Sequence, residues 1–182
     1  MWVPIGRRPA SPPDDALLEL LLECHGRIRR FLATGRRLVE AEGAPAAEVT
    51  ETAQALYRYF ATALPLHVLD EEATIMPRVR GRYAHVDVAL DRMAAEHASH
   101  GPNLARLIDL CAELGQQPEQ LPARRAALNA VITALEGDLL PHLTQEEAVI
   151  FPVLAELDPC ARAACLAEIR DRRAAPSWRC SD

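Results

Sequence analysis

Apolar residues recur three and four positions apart along most of the chain, the period of helices that bury one face. From Ala16 the series Leu18, Leu21, Ile28, Leu32 and Val39 predicts a first helix, capped by Asp14 or Asp15 and closed by Gly43 and Pro45. A second helix is predicted from about Ala46 to Val79, with Leu56, Phe60 and Leu64 facing inward and Gly81 at its end. A third runs from about His85 to Leu114 on Val86, Leu90, Met93, Leu104, Leu107 and Ile108, before Gly115 and Pro118. Pro122 suits a first helical turn. It opens a fourth helix to about Leu157, with Leu128, Ile132, Leu135, Leu139, Val149 and Val153 inside. No segment shows the alternation of a strand. Four long amphipathic helices with short connections predict an all-α fold, an antiparallel up-down four-helix bundle. The expected organisation is a proline-rich tail (1–13), the bundle (14–158) and a C-terminal tail (159–182) with a helix-prone piece from Ala161 to Arg173.

Each apolar stripe is interrupted at one level. His25 falls in the series 18, 21, 25, 28, 32, and His97 in 90, 93, 97, 104. His67 and Glu71 continue 56, 60, 64, while His142 and Glu146 continue 132, 135, 139. Residues four apart are offset by about 40° around a helix, so each His–Glu pair shares a face. Glu72 and Glu147 turn by roughly 100° and are expected outside or behind the ligands. Asp70 is expected to turn away. The segments HVLDEEATIMP, from His67, and HLTQEEAVIFP, from His142, are two copies of one pattern. His25 precedes His67 by 42 residues and His97 precedes His142 by 45, so the chain reads as two helical pairs in tandem. His100, three residues after His97, competes with it for the same role.

A buried carboxylate costs several kcal/mol unless it is paired or bound to a metal. These stripes carry no Lys or Arg at that level, so metal cations are the natural partners of Glu71 and Glu146. Imidazole and carboxylate without thiolate suit iron, and also manganese or zinc. Two six-coordinate ions offer about twelve positions. Four His nitrogens, two bridging glutamates and a bridging oxo or hydroxo group leave roughly one position open per metal. Glu72, Glu96 and Glu147 are placed either to orient ligand histidines or in solvent. Pro65 and Pro141 sit where they either adjust packing or widen the bundle beside the site, and Pro77 and Pro152 are read as helix terminators.

Composition narrows the rest. The 182 residues are 49% hydrophobic and carry a net charge of −6, which argues against a nucleic-acid-binding surface. The opening residues do not read as a secretion signal. No apolar run is long enough for a membrane span, so neither membrane nor nucleic acid is an expected partner. Cys24, Cys111, Cys160, Cys165 and Cys180 show no CxxC and irregular spacing, the pattern of reduced thiols in a cytoplasmic protein. Cys24 and Cys111 read as core thiols, Tyr57 and Tyr59 as packing residues, and His85 as a surface position at a helix start.

The stretches CHGRIRRFL, HVLDEEATIMP, EHASHGPNL and HLTQEEAVIFP resemble hemerythrin-like, or HHE cation-binding, domains over about residues 16–157. The resemblance implies a non-haem di-iron centre with His25, His67, Glu71, His97, His142 and Glu146 as ligands and the two glutamates bridging. Oxygen-carrying hemerythrins have a fifth histidine four residues after the one matching His97, where this chain has Gly101. The EHxxxG and paired HxxxEE patterns look closer to the iron–sulfur cluster repair branch. The additional N-terminal region with a Cys motif that such proteins usually carry is not expected ahead of His25. The resemblance implies a metal-binding sensor or stress protein, rather than a dedicated enzyme, that meets oxygen, nitric oxide or peroxide. Iron delivery or cluster repair, and iron sequestration without turnover, are the alternatives.

Overall fold

A computed structural model describes residues 16–175; Asp14, Asp15, the N-terminal tail and Cys180 lie outside it. Among the described residues the chain is helical and has no strand. Helix α1 is Ala16–Glu40. Helix α2 spans 46–79 and consists of Ala46–Arg58, a π turn at Tyr59–Ala63, Leu64–Asp70, a second π turn at Glu71–Ile75, and Met76–Val79. Helix α3 is Ala84–Gln116. A short 3₁₀ turn, Pro118–Gln120, leads to α4 over 121–155, made of Leu121–Gln145, a π turn at Glu146–Ile150 and Phe151–Ala155. Helix α5, Pro159–Ala174, follows.

Helix α1 packs against α2 and α4, and α3 packs against the same two, which closes the four-membered ring. The bundle is the one predicted. Its loops are short because glycine takes the left-handed turns: Gly43 has φ +66° and Gly81 φ +80°. Gly35 allows a close approach of α1 to α4, since a Cβ there would lie 2.4 Å from Cδ1 of Ile132.

Two apolar clusters fill the interior. One contains Ile28, Leu32, Leu56, Phe60, Leu64, Leu107, Leu128, Ile132 and Leu139. The other contains Leu17, Leu21, Ile75, Val86, Leu90, Met93, Ile150 and Leu154. The predicted histidines and glutamates lie between them, so the bundle has a polar layer sandwiched by two dry ones.

Three details depart from expectation. Leu17, rather than Leu18, is the deeply buried residue at the start of α1. In α4 Ile150 is buried and Val149 only partly so. The π turn adds a residue at that point and rotates the stripe. Each π turn ends two residues before a proline: Pro65, Pro77 and Pro152. Proline cannot donate to the carbonyl four residues back. The residue before it donates five back instead: Leu64 to Tyr59, Met76 to Glu71, Phe151 to Glu146. Pro77 and Pro152 therefore stand inside their helices, which continue to Val79 and Ala155.

The last departure concerns Asp70. It does not turn toward solvent; its carboxylate is fully buried. Helix α5 packs back on the bundle. Arg172 pairs with Asp70 Oδ1 and donates to Thr74 Oγ1, and Arg173 Nε lies 2.8 Å from Asp70 Oδ2. Cys165, Leu166 and Ile169 of α5 join the second apolar cluster. Helix α5 is a packed element of the fold.

Candidate metal centre

Each helix of the bundle contributes to the polar layer. His25 comes from α1, His67 and Glu71 from α2, His97 from α3, and His142 and Glu146 from α4. All six side chains are at least 95% buried. Both glutamates open a π turn.

The donor atoms form two sets. His25, His67, Glu71 and Glu146 make one; His97, His142 and Glu146 make the other. His67 Nε2 lies 3.1 Å from Glu71 Oε1, and His25 Nε2 lies 3.2 Å from Glu146 Oε2. In the second set His142 Nε2 is 3.0 Å from Glu146 Oε1 and 3.1 Å from His97 Nε2. Across the sets, Glu71 turns its other oxygen, Oε2, to within 3.5 Å of His97 Nε2. Each carboxylate thus presents one oxygen to each set, the disposition of a bridging ligand.

These spacings match donors sharing a cation. Two ligand atoms at right angles on a metal with bonds of roughly 2.1 Å stand about 3 Å apart. The polar atoms confirm the need for a partner. Among the described residues, seven buried atoms of this layer have no hydrogen-bond partner: His25 Nε2, both ring nitrogens of His67 and all four oxygens of Glu71 and Glu146. Unsatisfied groups of this kind are costly without a counter-charge. The residues present fit a metal.

A second ring of carboxylates holds three of the imidazoles. Glu147 Oε1 is 2.8 Å from His25 Nδ1, Glu72 Oε1 is 3.0 Å from His97 Nδ1, and Glu96 Oε2 is 2.7 Å from His142 Nδ1. Such a partner accepts a hydrogen bond from Nδ1–H, which keeps the proton there and leaves the Nε2 lone pair for a metal. Glu72 and Glu147 therefore stand behind the imidazoles of the layer, and Glu96 joins them.

In the chain alone the titrations are far from ordinary. Burial opposes charge on His25, but Glu146 and Glu71 outweigh it and push the imidazole up to about 10. His142 rises to about 9 in the same way, with burial overcome by Glu146 and Glu96. Burial, with the charge on His25, lowers His67 to about 3. Burial and the charge of Glu146 raise the Glu71 carboxyl. Groups that hold their protons in opposite senses inside one layer mark a site built around charge.

His100 lies beside this layer. It is buried, its ring centroid is 5.4 Å from that of His142, and it belongs to neither donor set. It lines a cavity of about 30 Å³ with His67, Glu71, His97 and His142, walled by Leu104 and Leu139. That is room for one or two water-sized molecules. Spacing along α3 favours His97, which continues the stripe 90, 93, 97, and leaves His100 as a spare or outer group.

Of the remaining candidates, Cys24 and Cys111 are buried, and burial pushes the Cys111 thiol up to about 12. Tyr59 stacks on Phe31 with centroids 3.9 Å apart, Tyr57 is exposed, and His85 is exposed beside Tyr83. Among the described residues no helix is long and apolar enough to cross a membrane.

Comparison with curated proteins and with solved structures returned no match. Residues 16–154 match the family model of the hemerythrin HHE cation-binding domain, a span that contains every residue of the polar layer. On that match, and on a helical bundle with a His/Glu layer fit for a cation, the chain belongs to the hemerythrin HHE cation-binding domain family.

Proposed function

We propose that the chain holds two non-haem iron ions, one in each donor set, and that the centre binds or reacts with oxygen, nitric oxide or peroxide in sensing or stress response. His25 and His67 hold the first ion, His97 and His142 the second, and Glu71 and Glu146 bridge them. Manganese and zinc also accept this ligand set. The observation that carries the reading is the set of buried, unpartnered donor atoms about 3 Å apart, with each glutamate spanning both sets. Bound iron would supply open coordination positions and a redox couple. The chain supplies the rest. Glu72, Glu96 and Glu147 fix the tautomers of three imidazoles. Leu104 and Leu139 wall the cavity of about 30 Å³ on its apolar side, and its size suits a diatomic or a peroxide rather than a larger substrate. His100 offers that cavity a polar atom.

Metal analysis of the purified chain, with visible spectra in air, under nitric oxide and with azide, tests the proposal. Two irons per chain with ligand-dependent bands support it. A chain that takes up no metal, and folds unchanged after His67→Ala and His142→Ala, refutes it. Repeated turnover of peroxide would point to an enzyme. An iron load indifferent to all three ligands would point to storage.

A further inference from the structure

The four imidazoles of the centre are not supported alike. His25, His97 and His142 each meet a carboxylate at Nδ1. His67 does not: it is 4% exposed, and among the described residues its Nδ1 has no hydrogen-bond partner. Its Nε2 is committed to the cluster side, 3.1 Å from Glu71 Oε1. The opposite edge of the ring, which carries Nδ1, therefore faces away from the cluster.

A second cavity, of about 170 Å³, lies against His67 outside the small one. Cys24, Arg27, Tyr59, Leu66 and Arg173 wall it, and among the described residues no carboxylate does. Arg173 reaches it from α5 and is held in place: Nη2 lies 2.7 Å from Asp70 Oδ2 and 3.2 Å from Cys24 Sγ. Arg27 comes from α1, and among the described residues its only ion pair is a loose one with Glu23 at 3.6 Å. Arg27, Arg173 and His67, whose Nδ1 is buried and without a partner among the described residues, thus line one space.

We propose that this cavity binds a small carboxylate-type oxyanion, of the class of bicarbonate or acetate, which accepts hydrogen bonds from His67 Nδ1 and the guanidinium of Arg173. Asp70 and Cys24 occupy Nε and Nη2 of Arg173, which leaves Nη1 for the anion, and Arg27 can present a planar two-oxygen anion with paired donors. The anion does for His67 what Glu147, Glu72 and Glu96 do for the other three, and such partners tune ligand strength. Its effect on the metals rests on the metal reading above; its binding rests on His67, Arg27 and Arg173 alone. Because Asp70 and α5 position Arg173, the C-terminal helix becomes part of the site.

The test titrates the full-length chain, ¹⁵N-labelled at histidine, with sodium acetate and with sodium bicarbonate, each against sodium chloride at equal ionic strength. It is run on metal-free and zinc-loaded protein. Zinc content is read by mass spectrometry, so the two proposals fail separately. The expected result is saturable binding of one anion per chain in both forms. The His67 Nδ1 resonance shifts while those of His25, His97 and His142 stay in place. The tighter of the two anions identifies the source. Arg173→Gln and, independently, Arg27→Gln should weaken binding about tenfold or more, the scale of a lost charge-assisted hydrogen bond. Arg124→Gln, whose partner Glu113 lies outside this cavity, should leave it unchanged. The proposal is overturned if neither form saturates, if both arginine variants bind like the parent, or if all four histidine signals move together because the anion sits on the metals. A chain that takes up no zinc yet binds acetate through Arg173 defeats the metal reading and leaves this one standing.

Discussion

Replacing Glu147, Glu96 and Glu72 with glutamine, one at a time, isolates the contribution of the outer carboxylates. Glutamine keeps the shape and an acceptor oxygen but removes the charge that makes Nε2 of the attached imidazole a better donor to metal. Loss of such a partner costs about 10- to 100-fold in metal affinity, or roughly 1.4–2.7 kcal/mol. Burial orders the three. The side chains of Glu96 and Glu147 are 25% and 28% exposed, whereas that of Glu72 is 42% exposed and more screened. Glu96→Gln and Glu147→Gln should therefore fall near the upper end and Glu72→Gln near the lower. Glu147 also pairs with Arg29 at 2.8 Å, but Arg29 is 38% exposed, and its release to water costs little. Competition with a chromophoric chelator at fixed pH gives the affinities. Thermal unfolding of the metal-free variants checks that the bundle persists. Glu113→Gln, paired with Arg124 outside the polar layer, is the control. The reasoning fails if all three variants match the parent within about twofold, or if Glu72→Gln weakens binding most.

Replacing Glu71 with leucine should abolish metal loading, as metal analysis will show. His97→Ala should remove metal from the second donor set, whereas His100→Ala should leave both sets loaded, as stoichiometry by mass spectrometry will show. His25 and His142 titrate at about 10 and about 9, above the ordinary 6.5, so at pH 7 they hold protons that a cation must displace. Loading at pH 7 should therefore release protons to an indicator dye, and affinity should drop as pH falls below about 9. The same two groups stabilise the metal-free chain fully below pH 6.5 and lose that contribution as pH rises through 9 to 10, so its melting temperature should fall there. Deleting residues 159–182 should destabilise the bundle severely. It bares the contacts of Cys165, Leu166 and Ile169, each worth about 1.5–3 kcal/mol for a large apolar side chain, and strands Asp70 without its arginines. Chemical denaturation measures the loss, and an unchanged midpoint would show that α5 is dispensable.

The helices and the polar layer were legible in the sequence because both depend on local spacing. Helical period alone places Leu21, His25, Ile28 and Leu32 on one face, and the same arithmetic brings His67 beside Glu71 and His142 beside Glu146. No tertiary knowledge is needed to see that four such stripes must meet in a core, or that their polar residues meet with them. The match at residues 16–154 reflects that local signature. What failed was phase over distance. Every π turn adds one residue, so a stripe extrapolated past Glu146 lands on Val149 when the buried residue is Ile150. The signal was present as Pro65, Pro77 and Pro152. Reading each as a stop or an adjustment concealed that the helix widens before a proline and then goes on.

Asp70 shows a different limit. Its angle on α2 places it away from the metal layer, and that inference from the helix was sound. Solvent does not lie beyond it, because α5 does. Arg172 and Arg173 are 102 and 103 residues from Asp70, at the end of the helix-prone piece of a segment read as a C-terminal tail. Nothing local to either segment announces the pairing. Yet the consequence reaches the centre. Asp70 immediately precedes Glu71, and Thr74, which also bonds Arg172, lies within the π turn that Glu71 opens. The carboxylate that faces both donor sets is therefore held from its outer side by the last helix of the described chain. A variant that loosens α5 without touching the polar layer, such as Ile169→Ala, should lower metal affinity as well as stability. A fall in stability alone would show that the two are independent.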